Sequence, residues 1–249
     1  MHPQQIQGAR LKPEEKQQQI VEMFNTIAPT YDKANRILSM GVDSSWRKKA
    51  CDLAFEFYPH NPIGRIVDVA CGTGDMMGFW QKQADKQGIT LASISGVDPS
   101  SGMLAVGKEK FPAYEFVLSE ATALPFEEAS VDILSISYGI RNVVAREAAF
   151  REFARVVKPS GLVVILEFTK DDKKGPLHAL KQWYLNTLLP RIGGLISKNR
   201  AAYEYLPNSI EGFLTASMLQ EELKSAGFET VHCESFSMDI STLLIAKRV

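Results

Sequence analysis

Short apolar runs alternate with helix-like stretches through the middle of this chain. Five runs have the length and composition of buried β-strands: Ile66–Ala70, Ile94–Val97, Tyr114–Leu118, Val131–Ser137 and Leu162–Phe168. Stretches typical of helices lie between several of them: Asp75–Gln87, Ser101–Lys110 and Ala145–Val157. Strands that alternate with helices predict βαβ units, and therefore a parallel sheet.

The C-terminal part of the chain follows a different pattern. Glu229–Phe236 and Ser241–Lys247 are strand-like runs separated by too few residues for a crossover helix, so we expect them to be antiparallel. A helix predicted from Ser209 to Ala226 precedes them and ends at Gly227. The whole pattern predicts an α/β fold with a seven-stranded, mostly parallel sheet whose last strand is antiparallel. Ligands of such sheets bind at the carboxyl ends of the strands.

The N-terminal region predicts helices. Apolar residues at helical spacing end at Pro29, which is expected to break the first helix. A second helix, capped by Asp43 or Ser44, is expected to run toward Phe57.

The domain organisation follows from these elements. Residues 1–14 are polar and rich in Gln, which predicts a flexible tail. Residues 15–249 form one domain, in which residues 15–60 are a helical cap and residues 175–208 a helical insertion before the last two strands.

Composition narrows the class of protein. The 249 residues include 45% hydrophobic and 23% charged residues, as in ordinary globular proteins. The net charge of −1 argues against broad nucleic-acid binding. Three cysteines and four scattered histidines indicate no metal site and fit a reducing cytoplasm. Since the most apolar stretch, Leu162–Leu166, is far too short to span a bilayer, any membrane contact is expected to be peripheral.

The first predicted strand leads into a glycine-containing loop, Asp68–Asp75. Gly72 and Gly74 permit a sharp turn and the close approach of a ligand. Met77 stands where a dinucleotide-binding loop has its third glycine. Because the loop is acidic at both ends, it would repel a pyrophosphate and favour a ligand with a positive centre.

Two acidic residues follow the next two strands. Asp98 ends the second strand, where a carboxylate can accept hydrogen bonds from a ribose diol. Glu120 follows the third strand and could accept from an adenine amino group, while the N–H of Ala121 could donate to a ring nitrogen. Together these features predict a nucleoside that carries a cation, and S-adenosylmethionine, a sulfonium, fits. A turn that binds NAD or nothing is the alternative.

These three segments resemble those of class I S-adenosylmethionine-dependent methyltransferases. Further segments resemble the menaquinone/ubiquinone-biosynthesis C-methyltransferases of the UbiE type: Ile27–Asn35, Leu38–Gly41, Trp46-Arg47, Ser137–Asn142, Leu166–Phe168 and Tyr203–Ile210. The resemblance implies a Rossmann-like class I methyltransferase fold, S-adenosyl-L-methionine as cofactor and a polyprenylated quinol as substrate. That quinol would be demethylmenaquinol, the benzoquinol of the ubiquinone pathway, or both.

The resemblance also implies which residues bind the cofactor. With the glycine loop, the predicted contacts are Asp68, Gly72, Thr73, Gly74, Asp98, Glu120, Ala121 and Ser137. Many members of the family have Asp or Asn where Glu120 stands.

The implied reaction needs an activated ring carbon. Its nucleophilicity rises once a ring hydroxyl ionises, and a cation about 4 Å away stabilises the phenolate by about 4 kcal/mol at an effective dielectric constant near 20. Arg141 is the predicted cation, with Asn142 as a further hydrogen-bond donor. Tyr31 and Asp32 are predicted to receive or relay the proton. The alternatives are an ion-paired Arg141 and a helix-capping role for Asp32.

The segment from Gly175 to Asn199 is rich in apolar residues, with the basic residues Lys181, Arg191 and Lys198 among them. One interpretation is a lid or groove for the isoprenoid tail, with transient peripheral contact to a membrane. The other is a core helix or the contact of a homodimer. The expected location is the cytoplasm or the inner face of the cytoplasmic membrane. Another small-molecule or lipid methyltransferase and a non-catalytic S-adenosylmethionine-binding subunit are the alternative functions.

Overall fold

Seven strands form one sheet in the order β3-β2-β1-β4-β5-β7-β6 in the computed structural model, which describes residues 12–170, 200–237 and 239–249. The strands are β1 Ile63–Val69, β2 Leu91–Asp98, β3 Glu115–Leu118, β4 Val131–Ser137, β5 Val157–Glu167, β6 Phe228–Phe236 and β7 Ser241–Arg248. Strands β1 to β5 pair in parallel, whereas β7 pairs antiparallel with both β5 and β6. The predicted fold class, with its antiparallel last strand, is confirmed.

The described helices cover both faces of this sheet. They are α1 Pro13–Ile27, α2 Tyr31–Leu38, α3 Asp43–Phe57, α4 Asp75–Gln87, α5 Ser101–Lys110, α6 Arg146–Val156, α7 Arg200–Glu211 and α8 Ala216–Ser225. The short 3-10 turn Ala28–Thr30 separates α1 from α2, which confirms the break predicted at Pro29. A second 3-10 turn, Ile140–Asn142, follows β4.

Apolar side chains of the central strands alternate between two cores. Ile66 belongs to the core that includes Trp46 of α3 and Trp80 of α4. The next residue, Val67, belongs to the other core, which includes Phe150 of α6. Both sides of the sheet are therefore buried, as a continuous apolar strand requires.

The single helix predicted from Ser209 to Ala226 is wrong. In its place α7 ends at Glu211 and α8 begins at Ala216. Thr215 starts α8, because its side-chain oxygen accepts a hydrogen bond from the N–H of Met218 at 3.3 Å. Gly227 follows α8 with a positive φ of 90°, which confirms the predicted glycine after this helix.

The cap predicted for α3 is also wrong. Val42 occupies the N-cap position, and no side chain there accepts a hydrogen bond. The carboxylate of Asp43 instead accepts from the hydroxyl of Ser39 at 2.7 Å. Helix α1 begins at Pro13, so residues 13 and 14, which were predicted to belong to the flexible tail, are helical.

Parts of two predicted segments lie outside the described residues: residues 1–11 of the tail and residues 175–199 of the insertion. Residues 200–208, which complete the insertion, belong to α7. Within the described ranges, no helix combines the length and the apolar character needed to cross a bilayer.

Candidate active site

A cavity of about 640 Å³ lies at the carboxyl ends of β1, β2, β3 and β4. These ends meet because the four strands are parallel neighbours. Seven of the predicted site residues line the cavity: Tyr31, Gly72, Asp98, Glu120, Ala121, Ser137 and Asn142. Helix α1 forms much of the opposite wall, with Gln17 and Phe24 among the lining residues.

Asp98 is held rigidly at the end of β2. Its Oδ2 accepts a hydrogen bond from the N–H of Gly72 at 2.9 Å, and its Oδ1 accepts from the N–H of Ser100 at 2.8 Å. Burial raises the pKa of this carboxyl to about 6, and the two backbone donors oppose that rise. Each oxygen keeps a lone pair for a ligand. The carboxylate is thus suited to accept hydrogen bonds from a diol.

The loop between β1 and α4 bends at two glycines with positive φ, 56° at Gly72 and 83° at Gly74. A Cβ at Gly74 would lie 2.9 Å from the ring of Phe116, so this glycine permits close packing beneath the loop. Nothing lies within 4 Å of a Cβ built on Gly72, the glycine that lines the cavity. The loop therefore uses one glycine for packing and leaves the other facing open space.

Three predicted cofactor residues, Asp68, Thr73 and Gly74, are not among the residues that line the cavity. Asp68 is buried in β1 and accepts a hydrogen bond from Ser135 at 2.6 Å. Burial raises its pKa to about 7, with Ser135 and Arg47 lowering it. The Thr73 hydroxyl donates to Asp32 at 2.5 Å. The hydrogen bonds of Asp68 and Thr73 and the packing of Gly74 on Phe116 therefore stabilise the loop.

Asp32 does not cap α2, because Thr30 occupies the N-cap position, and the Thr30 hydroxyl donates to the carbonyl oxygen of Ile27 instead of capping the helix. Its carboxylate pairs with Lys110 at 2.7 Å, in addition to the hydrogen bond from Thr73. Lys110 also pairs with Asp75 at the start of α4. Asp32 therefore connects α2 to the glycine loop and to α5, and its predicted role as proton acceptor stays a prediction.

Arg141 is ion-paired, which is the alternative that the sequence left open. Its Nη1 lies 2.5 Å from Oε1 of Glu167, whose side chain is fully buried. Its Nη1 also donates to the carbonyl oxygen of Tyr138 at 2.7 Å, and its Nε donates to Ser209 at 3.3 Å. Burial raises the pKa of Glu167, whereas Arg141 lowers it. The positive charge predicted to face the substrate is compensated, and Arg141 does not line the cavity.

The turn after β4 brings Asn142 to the cavity. Tyr138 begins this turn with a positive φ of 59°, an unusual conformation for a bulky residue. The Asn142 Oδ1 accepts a hydrogen bond from the hydroxyl of Tyr205 in α7 at 3.0 Å. The described part of the insertion thus touches the predicted catalytic turn.

Two buried side-chain polar atoms have no hydrogen-bond partner among the described residues: Ser137 Oγ and Arg47 Nε, the second of which belongs to a residue that does not line the cavity. Ser137 is a predicted cofactor residue and lines the cavity. Arg47 of α3 was given no role by the sequence, although it belongs to the Trp46-Arg47 segment of the resemblance. Its guanidinium carbon lies 5.2 Å from the centre of the Tyr138 ring. Buried polar groups without partners are uncommon and indicate bound ligand or water.

Asn25 and Glu167 are further residues that sequence reasoning missed. The Asn25 Oδ1 accepts from the hydroxyl of Ser100 at 2.7 Å and from the N–H of Gly102 at 2.8 Å. These bonds attach α1 to the start of α5, beside Asp98. Glu167 lies in the Leu166–Phe168 segment of the resemblance, and no spacing in the sequence connects it to Arg141.

The residues present fit S-adenosylmethionine. The cavity volume lies within the range of small-molecule sites. A buried carboxylate at the end of β2 suits the ribose, and the unpartnered Ser137 hydroxyl offers a further polar contact. Within the described part of the chain, no group of three or more His, Cys, Asp or Glu residues is placed to hold a metal ion. The expectation of no metal stays a prediction.

Comparison with known proteins places this arrangement in a family. The model of the ubiE/COQ5 methyltransferase family matches residues 12–248. The ubiquinone/menaquinone biosynthesis C-methyltransferase UbiE of Campylobacter jejuni is 56% identical over 235 residues, which cover 94% of this chain and 100% of that protein. The demethylmenaquinone methyltransferase of Thermus thermophilus is 37% identical over 230 residues, covering 91% of this chain and 100% of that protein.

Solved structures resemble the chain in fold. A SAM dependent methyltransferase from Aquifex aeolicus aligns with a TM-score of 0.56 and 16% identity, covering 80% of this chain and 88% of that chain. The cyclase SpnF aligns with a TM-score of 0.58 and 18% identity, covering 81% and 80%. Since a cyclase shares the fold, these likenesses bear on architecture alone. The family match and the relatives confirm the resemblance seen in the sequence: this chain belongs to the ubiE/COQ5 methyltransferase family.

Proposed function

We propose that this enzyme transfers a methyl group from S-adenosyl-L-methionine to a ring carbon of a polyprenylated quinol in respiratory quinone biosynthesis. Family membership and the names of the relatives support this reaction. The observation that carries it is the single cavity that joins the Asp98 carboxylate to Tyr31 and Asn142. The same cavity thus offers a nucleoside site at one side and polar groups suited to a quinol at the other.

The cofactor side of the cavity is assigned in this proposal as follows. Asp98 accepts hydrogen bonds from the ribose, Glu120 and the N–H of Ala121 bind the adenine, and the Ser137 hydroxyl completes the pocket. The backbone at Gly72 allows close approach, with Asp68, Thr73 and Gly74 supporting the loop. When bound, S-adenosylmethionine supplies an electrophilic methyl group on a sulfonium.

The acceptor side uses the turn after β4. Arg141 fixes the backbone of this turn through Glu167 and the Tyr138 carbonyl, and so positions Asn142 toward the quinol ring. Tyr31 and Asp32 relay the released proton to solvent, directly or through water. Much of the rate comes from holding the ring carbon in line with the methyl group.

The test is methyl transfer from radiolabelled S-adenosylmethionine to short-chain demethylmenaquinol and to the ubiquinone-pathway benzoquinol under reducing conditions. Asp98→Ala serves as a control that lacks the ribose acceptor. Label in a quinol with the unsubstituted protein, and none with the control, is the expected result. Label only in other small molecules or lipids would replace the proposed substrate. Cofactor binding without any methyl transfer would favour a non-catalytic subunit.

We further propose that the enzyme works in the cytoplasm and makes transient contact with the inner face of the cytoplasmic membrane, where a polyprenylated substrate dissolves. The turn between α2 and α3 supports this, because Ile37, Met40 and Val42 are exposed beside the basic Lys33 and Arg36. The apolar residues of 175–199, outside the described residues, would add to this contact or join two copies in a homodimer. Sedimentation of the protein with and without lipid separates these two uses.

A further inference from the structure

Arg47 is a largely buried cation whose Nε–H has no hydrogen-bond partner among the described residues. Its side chain is 12% exposed, and its Nε is buried without a partner. Among the described residues its one ion pair is with Asp43, whose Oδ2 lies 3.6 Å from Nε, beyond hydrogen-bond distance. A guanidinium carries five N–H donors, and leaving a buried one such as this Nε–H unpaired is costly. The arrangement becomes reasonable if a ligand accepts some of them.

The ion pair of Arg47 is longer than that of Arg141 and its carboxylate is shared. Asp43 is shared with Arg36, whose Nη1 lies 3.7 Å from Oδ1, so one carboxylate faces two guanidiniums. Arg141, by contrast, has the fully buried Glu167 to itself at 2.5 Å. Neither arginine is among the residues that line the cavity, and Asp75 also stabilises the charge of Arg47; of the two, Arg47 is the one whose Nε has no hydrogen-bond partner among the described residues.

Two phenol side chains report the electrostatic effect of this cation at the cavity wall. Tyr31 and Tyr138 both line the cavity, and burial raises the pKa of each hydroxyl. Arg141 and then Arg47 oppose that rise at Tyr31, whereas Arg47 is the arginine that opposes it at Tyr138. The titratable and charged groups that face Arg47 are Tyr31, Asp43, Cys51, Asp68, Asp75 and Tyr138. A substrate phenol between the two tyrosines would experience the same attraction.

Resting on the proposed function, we propose that Arg47 is a catalytic residue that binds a ring hydroxyl of the quinol and stabilises its ionised form, while Arg141 is a positioning residue. The hydroxyl proton passes to water, and the ring carbon forms its new C–C bond as the methyl–sulfur bond breaks and leaves its electron pair on sulfur. The ring carbon then loses its own proton to water, and the phenolate regains a proton. One proton is released for each methyl group transferred.

The first test is the pH profile of kcat for Arg47→Gln and Arg47→Lys, measured in detergent with a short-chain quinol. We expect Arg47→Gln to lower kcat about 100-fold near pH 7, as loss of one preorganised charge does. The deficit should shrink toward pH 10, where the substrate hydroxyl ionises without help. Arg47→Lys should recover most of kcat, and Lys48→Gln, which removes an exposed charge from the same helix, should leave kcat unchanged.

A merely structural role for Arg47 gives a different profile. It would lower kcat by the same factor at every pH, and the Lys variant would not recover it. Either result, or a kcat for Arg47→Gln within about threefold of the unsubstituted enzyme, overturns the inference. The affinity for S-adenosylhomocysteine, measured by calorimetry, is expected to be unchanged in both Arg47 variants, and a loss there assigns Arg47 to the cofactor.

A second measurement does not depend on turnover. 4-Nitrophenol absorbs differently when ionised, so its spectrum reports the pKa of a phenol bound to the complex with S-adenosylhomocysteine. We expect the unsubstituted protein to lower that pKa and Arg47→Gln not to. Equal spectra, or no shift with either protein, overturn the inference. Failure of methyl transfer by the unsubstituted protein would instead reject the proposed function, and the spectrum still decides the role of Arg47.

Discussion

Two carboxylates near the carboxyl ends of β1 and β2 are buried, unlike the carboxylate of an ordinary surface acid. Asp98 has two backbone N–H donors and a pKa of about 6, whereas Asp68 has the Ser135 hydroxyl and a pKa of about 7. In both, the loss of water on burial outweighs the hydrogen bonds. Asp98 lines the cavity, so a bound ligand can offset the cost of burying it, whereas Asp68 is not among the lining residues.

Asp68→Asn tests that cost directly. The folded pKa of about 7 lies above the ordinary Asp value of 3.8, so Asp68 stabilises the fold in its neutral form and that stability is lost as the pH rises through 7. We expect Asn to raise the free energy of unfolding at pH 8, by at most about 4 kcal/mol, while keeping an acceptor for Ser135. Near pH 4 the two proteins should be equally stable.

Thermal melts of both ligand-free proteins at pH 4, 6 and 8 measure this difference. Glu229→Gln, which neutralises an exposed acid on β6, is the control and should show no such trend. A variant that is less stable than the unsubstituted protein at pH 8 would mean that the charge of Asp68 is stabilised in the fold.

Some site residues reach the cavity through their own strand alone, whereas the environment of others depends on elements that meet only in the folded molecule. Asp98 and Ser137 end their own strands, so strand order alone brings them to the cavity. The sequence left an ion-paired Arg141 open but could not identify its partner, Glu167 at the end of the neighbouring strand. Arg47 was missed for the same reason, since α3 meets Tyr138 only after the sheet has formed. Which charges are compensated is a property of the packed molecule.

At the scale of elements, α1 acts as a cover that is attached at two points. Asn25 bonds to Ser100 and Gly102 at one point, and the Gln17 Oε1 accepts from the N–H of Val144 at 3.0 Å at the other. The side of α1 between these points lines the cavity. Because the cover and the sheet enclose one space, the attachment of α1 should control cofactor affinity.

Asn25→Ala removes one of these attachments. Two hydrogen bonds worth about 1 kcal/mol each are lost, so we expect the Kd for S-adenosylhomocysteine to rise about tenfold or more. Calorimetry gives the Kd, and hydrogen exchange across residues 13–27 reports the opening of the helix. Thr26→Ala is the matched control, because that hydroxyl bonds only to Glu22 within α1. Unchanged affinity in Asn25→Ala would show that α1 closes the cavity without this attachment.

The elements themselves were largely predictable. Parallel strands flanked by helices leave long periodic patterns, and β4 and α4 match their predicted bounds. The break between α7 and α8 was missed, because the apolar spacing continues across Gly212 and Thr215 and conceals the cap. The prediction began β5 at Leu162, whereas the strand begins at Val157. Ser160 has a positive φ of 64° inside the strand, and the sequence Pro159–Gly161 is typical of a turn.

At the scale of the whole molecule, the α2–α3 turn connects the acceptor side of the cavity to the surface. Helix α2 begins at Tyr31 and α3 carries Arg47, so the two helices that join at this turn also supply the acceptor side. At its tip, Met40 is 82% exposed, with Ile37 at 46%. An apolar tip flanked by basic residues suits an anionic lipid surface, and it would place the opening for a membrane-dissolved quinol near the bilayer.

Met40→Ser tests this orientation. Removing one apolar side chain that enters the bilayer should lower the partition coefficient about tenfold, measured by sedimentation with vesicles of anionic and zwitterionic phospholipid. Met218→Ser is the matched control, because Met218 is 52% exposed on α8, which packs on the opposite face of the sheet from α3. Methylation of a short-chain quinol in detergent should be equal in all three proteins, whereas methylation of a long-chain quinol in vesicles should fall only in Met40→Ser. If Met218→Ser weakens vesicle binding and Met40→Ser does not, the membrane meets the other face, and the quinol must reach the cavity by a path that does not pass the α2–α3 turn.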